Sequence, residues 1–145
     1  IRRAIAGGDL AHAADGLGRH YSVGGIVRQG DQRGRTMGFP TLNLGAPPAR
    51  KLLPPEGVYA VRVQTPIGSF GGMMNLGPRP TFGDAASALE VHCFAMTGNL
   101  YGARVRVDFI SRLRETRRFD SAEALKTQLA HDETAARAAL SAAGL

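Results

Sequence analysis

Apolar and β-branched residues come in short runs along the middle of this chain, at Tyr21 to Arg28, Val58 to Thr65, Ser69 to Leu76, Ala88 to Ala95 and Arg104 to Ile110. Segments rich in Gly and Pro separate the runs, the pattern of strands joined by turns and loops. The alternation is clearest where Val105, Val107 and Phe109 interleave with Arg104, Arg106 and Asp108. A period of two of this kind predicts a strand with one buried face. About five or six short strands without intervening helices predict an antiparallel sheet. A sheet that small leaves unpaired edges unless it closes or is covered, so a mainly β fold, a Greek-key barrel, is expected.

The two ends read differently. Between Ile1 and Gly18 a helical spacing brings Ile5, Leu10, Ala13, Ala14 and Leu17 to one stripe, weakened by Gly7 and Gly8. This stretch is expected to be a linker or the tail of a preceding domain, setting residues 1–20 apart from a domain over 21–145. After Phe119 the composition turns to Ala, Leu, Gln and Glu, and Asp120 or Ser121 can cap a helix. Leu125 and Leu129, then Ala136 and Leu140 beyond a break expected near His131 to Glu133, form an apolar face suited to lie on the barrel.

At 145 residues and 43% hydrophobic content, one domain with one core is expected. Cys93 is the single cysteine, which excludes an internal disulfide and a Cys-based zinc cluster and agrees with a reducing compartment. No apolar run approaches the roughly 20 residues of a membrane span, and no signal-peptide pattern opens the chain. The cytoplasm is therefore expected, with no membrane partner. Because the chain starts at Ile1 rather than Met, it is expected to be a piece of a longer polypeptide. The net charge of +6 favours anionic partners. The arginines are scattered, however, and six Phe and three Tyr with no Trp make a thin set of stacking platforms, so nucleic acid is not expected as the main partner.

The densest candidate for chemistry is GGIVRQGDQRGRTMGFPTLN, from Gly24 to Asn43. Its glycines, including Gly25, Gly30, Gly34 and Gly38, let a backbone approach phosphate closely, and they serve equally in tight hairpin turns. No Walker-type run occurs, so a loop of that kind does not hold phosphate here. Arg35 adds a fixed cation, and Thr41 and Asn43 offer neutral oxygens two residues apart, on one face of an extended strand. Such oxygens can complete a magnesium shell with waters and nucleotide oxygens, or can cap turns.

In ALEVHCF, from Ala88 to Phe94, alternation sets Leu89, Val91 and Cys93 against Glu90 and His92. Glu is depleted in strands, so Glu90 either faces plain solvent or borders a ligand, where a carboxylate could orient a hydroxyl and accept its proton. His92 on the same side is a secondary candidate. The segment NLGPRPTF, from Asn75 to Phe82, reads as a rigid loop in which Arg79 and Thr81 could steady a ligand. Arg112, Arg114, Arg117 and Arg118 crowd the approach to the C-terminal helix, where a guanidinium could lie along a flat aromatic ligand.

Taken in order, these clusters resemble the riboflavin kinase family, in particular the kinase half of bacterial bifunctional riboflavin kinase/FMN adenylyltransferases. The likeness runs through GRTMGFPTLN, PEGVY at Pro55 to Tyr59, NLGPRPTF, EVHCF, LYG at Leu100 to Gly102, and Leu113–Arg114 followed by Phe119 and ALKTQLAHD. It implies a six-stranded Greek-key barrel with a C-terminal helix, and transfer of the γ-phosphate of ATP to the 5′-hydroxyl of riboflavin to give FMN. It further implies Glu90 as the base, magnesium held at Thr41 and Asn43, and nucleotide phosphates along Gly25, Gly30, Gly34, Arg35, Gly38, Pro40, Thr41 and Asn43. Riboflavin is placed by resemblance against Leu113, Arg114 and Phe119. Residues 1–20 resemble the segment joining an FMN adenylyltransferase domain to the kinase, so this piece alone is expected to stop at FMN. The rival is a non-catalytic flavin- or oligonucleotide-binding barrel, since small Greek-key barrels host both tasks.

Overall fold

A computed structural model describes residues 1–28, 41–45, 52–77, 89–94, 100–117 and 119–145. Two short helices, α1 (Arg2–Ala6) and α2 (Leu10–Leu17), precede six strands: β1 (Ser22–Arg28), β2 (Thr41–Leu44), β3 (Gly57–Thr65), β4 (Gly68–Leu76), β5 (Leu89–Cys93) and β6 (Arg104–Arg114). Helix α3 (Ala122–Ala142) closes the chain. The strands form a closed barrel in the order β1-β2-β5-β4-β3-β6, every neighbouring pair antiparallel. Strand β2 lies beside β5 rather than β3, which makes the connection a Greek key and leaves no open edge.

The interior follows from the alternation. Val105, Val107 and Phe109 point inward while Arg104 and Arg106 are exposed, and Leu89, Val91 and Cys93 of β5 join the same core with Leu42, Leu44, Val61, Val63 and Met74. Phe109 anchors it, with Tyr59 edge-on at 5.2 Å and Tyr21 stacked at 6.1 Å. Both tyrosine hydroxyls reach backbone acceptors, Tyr59 donating to the Pro55 carbonyl and Tyr21 to that of Leu52, so neither ring carries an unsatisfied donor into the core. Burial pushes the Cys93 thiol up to about 12, which keeps it protonated and unreactive in the folded chain.

Helix α3 covers the outer face of β3, β4 and β6. Leu129, Ala136 and Leu140 pack there on Val58, Ala60, Met73 and Phe94, a second core outside the barrel. Ser121 is the cap, its hydroxyl accepting from the Ala124 amide at 3.1 Å. The break expected near His131 to Glu133 does not occur. No Gly or Pro interrupts the helix, Thr134 donates to the Ala130 carbonyl at 3.2 Å, and Asp132 is held by partners outside and inside the helix. Strand β6 runs past Ile110 to Arg114 because its second half pairs with β3, through irregularities at Val58/Tyr59 and Ala60/Val61.

At the N-terminus, the glycines that weaken the helical stripe split it, Gly8 taking a positive φ of 82° between α1 and α2. Asp9 then caps α2 by accepting from the His12 amide. Ile5, Leu10 and Ala13 are buried, with Leu10 reaching the barrel core, whereas Leu17 is exposed.

Candidate active site

Register brings the candidate residues together. On β5, Glu90 stands opposite Asn43 of β2 on one side and Asn75 of β4 on the other. Partners opposite one another share a face of the sheet, so Asn43, Glu90 and Asn75 form a polar row on the outside of the barrel. One step along β5, His92 stands opposite Thr41 and Met73. Asn43, Glu90 and Asn75 are all partly exposed, while the intervening Leu42, Val91 and Met74 fill the interior. Asn75 belongs to β4, which extends through Leu76 before Gly77: the strand run Ser69 to Leu76 holds, and the loop reading of NLGPRPTF is corrected at its first two residues. The side-chain run Phe70, Gly72, Met74, Leu76 against Gly71, Met73, Asn75 carries the alternation that extends the strand.

His92 is buried at 7% exposure although it alternates with the core residues, because Met73 beside it lies under α3. Its Nε2 lies 3.7 Å from Glu90 Oε1, too long for a direct hydrogen bond. Desolvation lowers the His92 pKa below its ordinary value, against an opposing pull from the Asp132 charge. The imidazole is therefore neutral at neutral pH.

The residues placed by resemblance against riboflavin sit where β6 leaves the barrel for α3. Leu113 packs on the helix-side core. Arg114 is engaged: its Nε and Nη2 each donate to a carboxylate oxygen of Asp132 at 2.8 Å, and its Nη1 donates to the Glu115 carbonyl at 3.0 Å. A forked, desolvated pair of this kind is strong in place, and losing one partner costs about 3–5 kcal/mol. Two guanidinium groups stand over the Phe119 ring, Arg114 at 5.7 Å and Arg117 at 5.6 Å from its centroid. Arg112 donates to the Glu56 carbonyl at 2.6 Å and ties the β3 entry to β6. Asp132 was not a candidate by sequence, since an acid in a helix looks like any solvated Asp; its spacing among the apolar positions Leu129, Ala136 and Leu140 was the available signal.

Gly25 lies within β1, where an added Cβ would stand 3.4 Å from the Leu44 Cβ, so this glycine lets β1 and β2 approach. Gly30, Gly34, Arg35, Gly38, Pro40 and Arg79 lie outside the described residues. No described helix is long and apolar enough to cross a membrane.

A family model described as Flavokinase: Riboflavin kinase matches residues 17–140. The chain is 41% identical over 139 residues to a bifunctional riboflavin kinase/FMN adenylyltransferase of Haemophilus influenzae, covering 95% of this chain and 44% of that protein. The protein of the same name from Bacillus subtilis is 37% identical over 136 residues, with 92% and 43% covered. The chain thus spans less than half the length of these relatives. Among solved structures, one described as a macrolide-efflux protein from Streptococcus pneumoniae superposes with a TM-score of 0.85 at 35% identity, over 94% of this chain and 44% of that one. Riboflavin kinase from Trypanosoma brucei shares the fold at a TM-score of 0.56 and 22% identity, over 83% and 79%.

Proposed function

The chain belongs to the riboflavin kinase family, and from that premise we propose that it transfers the γ-phosphate of ATP to the 5′-hydroxyl of riboflavin, giving FMN and ADP. The observation that carries this reading is the row Asn43, Glu90, Asn75 on the outside of a barrel whose interior is apolar. A carboxylate between two amides supplies one proton acceptor flanked by groups that only hydrogen-bond, an arrangement suited to orienting an alcohol. Glu90 takes the hydroxyl proton as the bond from the 5′-oxygen to the γ-phosphorus forms. The bond from that phosphorus to the bridging oxygen breaks, and ADP leaves with the oxygen. Such a transfer asks little covalent chemistry of the protein, and holding the two substrates in line supplies most of the acceleration.

The nucleotide phosphates lie along Gly25, Gly30, Gly34, Arg35, Gly38 and Pro40 to Thr41 and Asn43. Riboflavin lies at Leu113 and Phe119, with Arg114 behind them; Arg79 and His92 are secondary contributors. Thr41 and Asn43 would hold magnesium, which when bound offsets charge on the terminal phosphates. The donor chemistry fits: neutral oxygens on β2 suit a hard cation that keeps waters and draws its other ligands from phosphate. Among the described residues no cluster of three or more His, Cys, Asp or Glu is placed for a metal.

Asn43→Ala is expected to raise the magnesium concentration needed for half-maximal rate and to weaken ATP binding, with Thr41→Ala acting in the same direction. A magnesium titration superimposable on the parent's removes both residues from the metal site.

The relatives' greater length and name support a longer protein in which residues 1–20 join an FMN adenylyltransferase domain to this one. Incubation of the chain with riboflavin, ATP and magnesium, followed by chromatographic separation of flavins, tests the reading. FMN without FAD is expected. Riboflavin bound but not phosphorylated would instead identify a carrier, and the absence of both binding and turnover would remove the kinase reading.

A further inference from the structure

Asp132 is an acid with its side chain 3% exposed, on the face of α3 that meets the barrel. Burying a carboxylate is costly unless its charge and lone pairs are met. Here the charge is paired and both oxygens are bonded: Arg114 donates to both oxygens at 2.8 Å, and Gln128, one turn earlier on the same helix, donates to Oδ1 at 2.9 Å. The acid therefore fixes the Arg114 guanidinium from two directions in a plane. Arg114 in turn stands over the Phe119 ring, 5.7 Å from its centroid, and donates to the Glu115 carbonyl. It thus holds two points of the irregular stretch between β6 and α3.

The charge of the same carboxylate also acts on His92, which lies two residues from Glu90 on β5 and 3.7 Å from its carboxylate. Asp132 thus lies on α3 directly against the arginine that ends β6 and opens the stretch assigned to the flavin.

We propose that Asp132 is a positioning residue for riboflavin, its carboxylate holding Arg114 and, through that guanidinium, the Phe119 ring at a fixed place in the stretch between β6 and α3. This inference rests on the kinase reading and deepens it. With its fork committed to Asp132, Arg114 acts by holding the aromatic platform and not by donating from that fork to the flavin. A platform held in this way costs little ordering when the ligand arrives. Loosening it should weaken the flavin side of the site and leave the nucleotide side, built on β1 and β2, alone.

The test uses titration of riboflavin fluorescence to obtain its Kd, together with the KM for ATP, in the chain and three variants. Asp132→Asn keeps the shape and removes the charge; it should raise the riboflavin Kd at least about tenfold while the ATP KM stays within about twofold. Gln128→Ala removes one donor to the same oxygen and should shift the riboflavin Kd in the same direction by less. Leu140→Ala opens the apolar face of α3 about two turns further along; it should lower the melting temperature with no change in the riboflavin Kd.

Equal weakening of riboflavin by Leu140→Ala and Asp132→Asn would overturn the proposal, because general loosening of the helix would then account for the effect. Unchanged riboflavin affinity in Asp132→Asn would overturn it as well. Should Asp132→Asn fail to fold, the comparison of Gln128→Ala with Leu140→Ala decides by the same criterion. A parent chain that binds no riboflavin defeats the kinase reading itself, whereas a parent that binds it beside an equally competent Asp132→Asn defeats only the positioning role.

Discussion

Glu90→Gln is expected to lower the turnover of riboflavin by about 10²-fold or more while leaving riboflavin affinity close to that of the parent. The substitution keeps the length and shape of the side chain and its place between Asn43 and Asn75. What it removes is the capacity to accept a proton, and neither neighbouring amide can supply that. An interaction used only as the hydroxyl loses its proton lowers kcat and kcat/KM together, and this is the pattern to look for in steady-state rates. His92 is the one other described titratable group on this strand face, 3.7 Å away, buried and neutral. Turnover within a few-fold of the parent would remove Glu90 from the base role, and combining Glu90→Gln with His92→Gln would then ask whether the imidazole had carried it.

The second large effect is expected at Gly57, the entry to β3. Its φ is +156°, where L side chains are rare, and an added Cβ would stand 2.6 Å from the Arg114 carbonyl oxygen and 2.9 Å from Arg112 Nε. The carbonyl is backbone and belongs to the strand paired with β3, so relief requires the two strands to part. Strain and overpacking together place the cost of Gly57→Ala at about 2–5 kcal/mol, a large share of a small domain's stability. Urea unfolding should show the loss as a lower midpoint.

Cys93 offers an independent reading. Buried and with its thiol pushed up to about 12, it should react with a thiol reagent only when the barrel opens, and Gly57→Ala should speed that labelling. A melting curve and labelling rate unchanged from the parent would show that β3 and β6 have room to spare there.

Much of the barrel was legible before any coordinates. Strands β1, β3, β4 and β6 follow from alternation and turn residues, since a half-buried strand must repeat every two residues whatever it pairs with. The boundaries were less certain. Asn75 and Leu76 fall both in the strand run from Ser69 and in the loop segment NLGPRPTF, because Gly77 and the prolines beyond dominate the local composition, and it is pairing with β5 that keeps those two residues in strand. The break expected in α3 failed for the same reason. His131 to Glu133 looks polar in sequence, but Asp132 is satisfied by Arg114, a residue 18 positions away.

Residue types and their order determined the strand and helix content, the apolar face of α3, the inward set on β5 and the family to which the chain belongs, because these depend on local periodicity and on motifs that are contiguous in the chain. Tertiary structure alone decided that Glu90 is flanked by Asn43 and Asn75, that His92 is buried, and that Arg114 belongs to Asp132. Each of these is a contact across strands or between strand and helix, fixed by the register of closure and by what α3 covers, and neither the register nor the cover is written in the spacing of neighbouring residues.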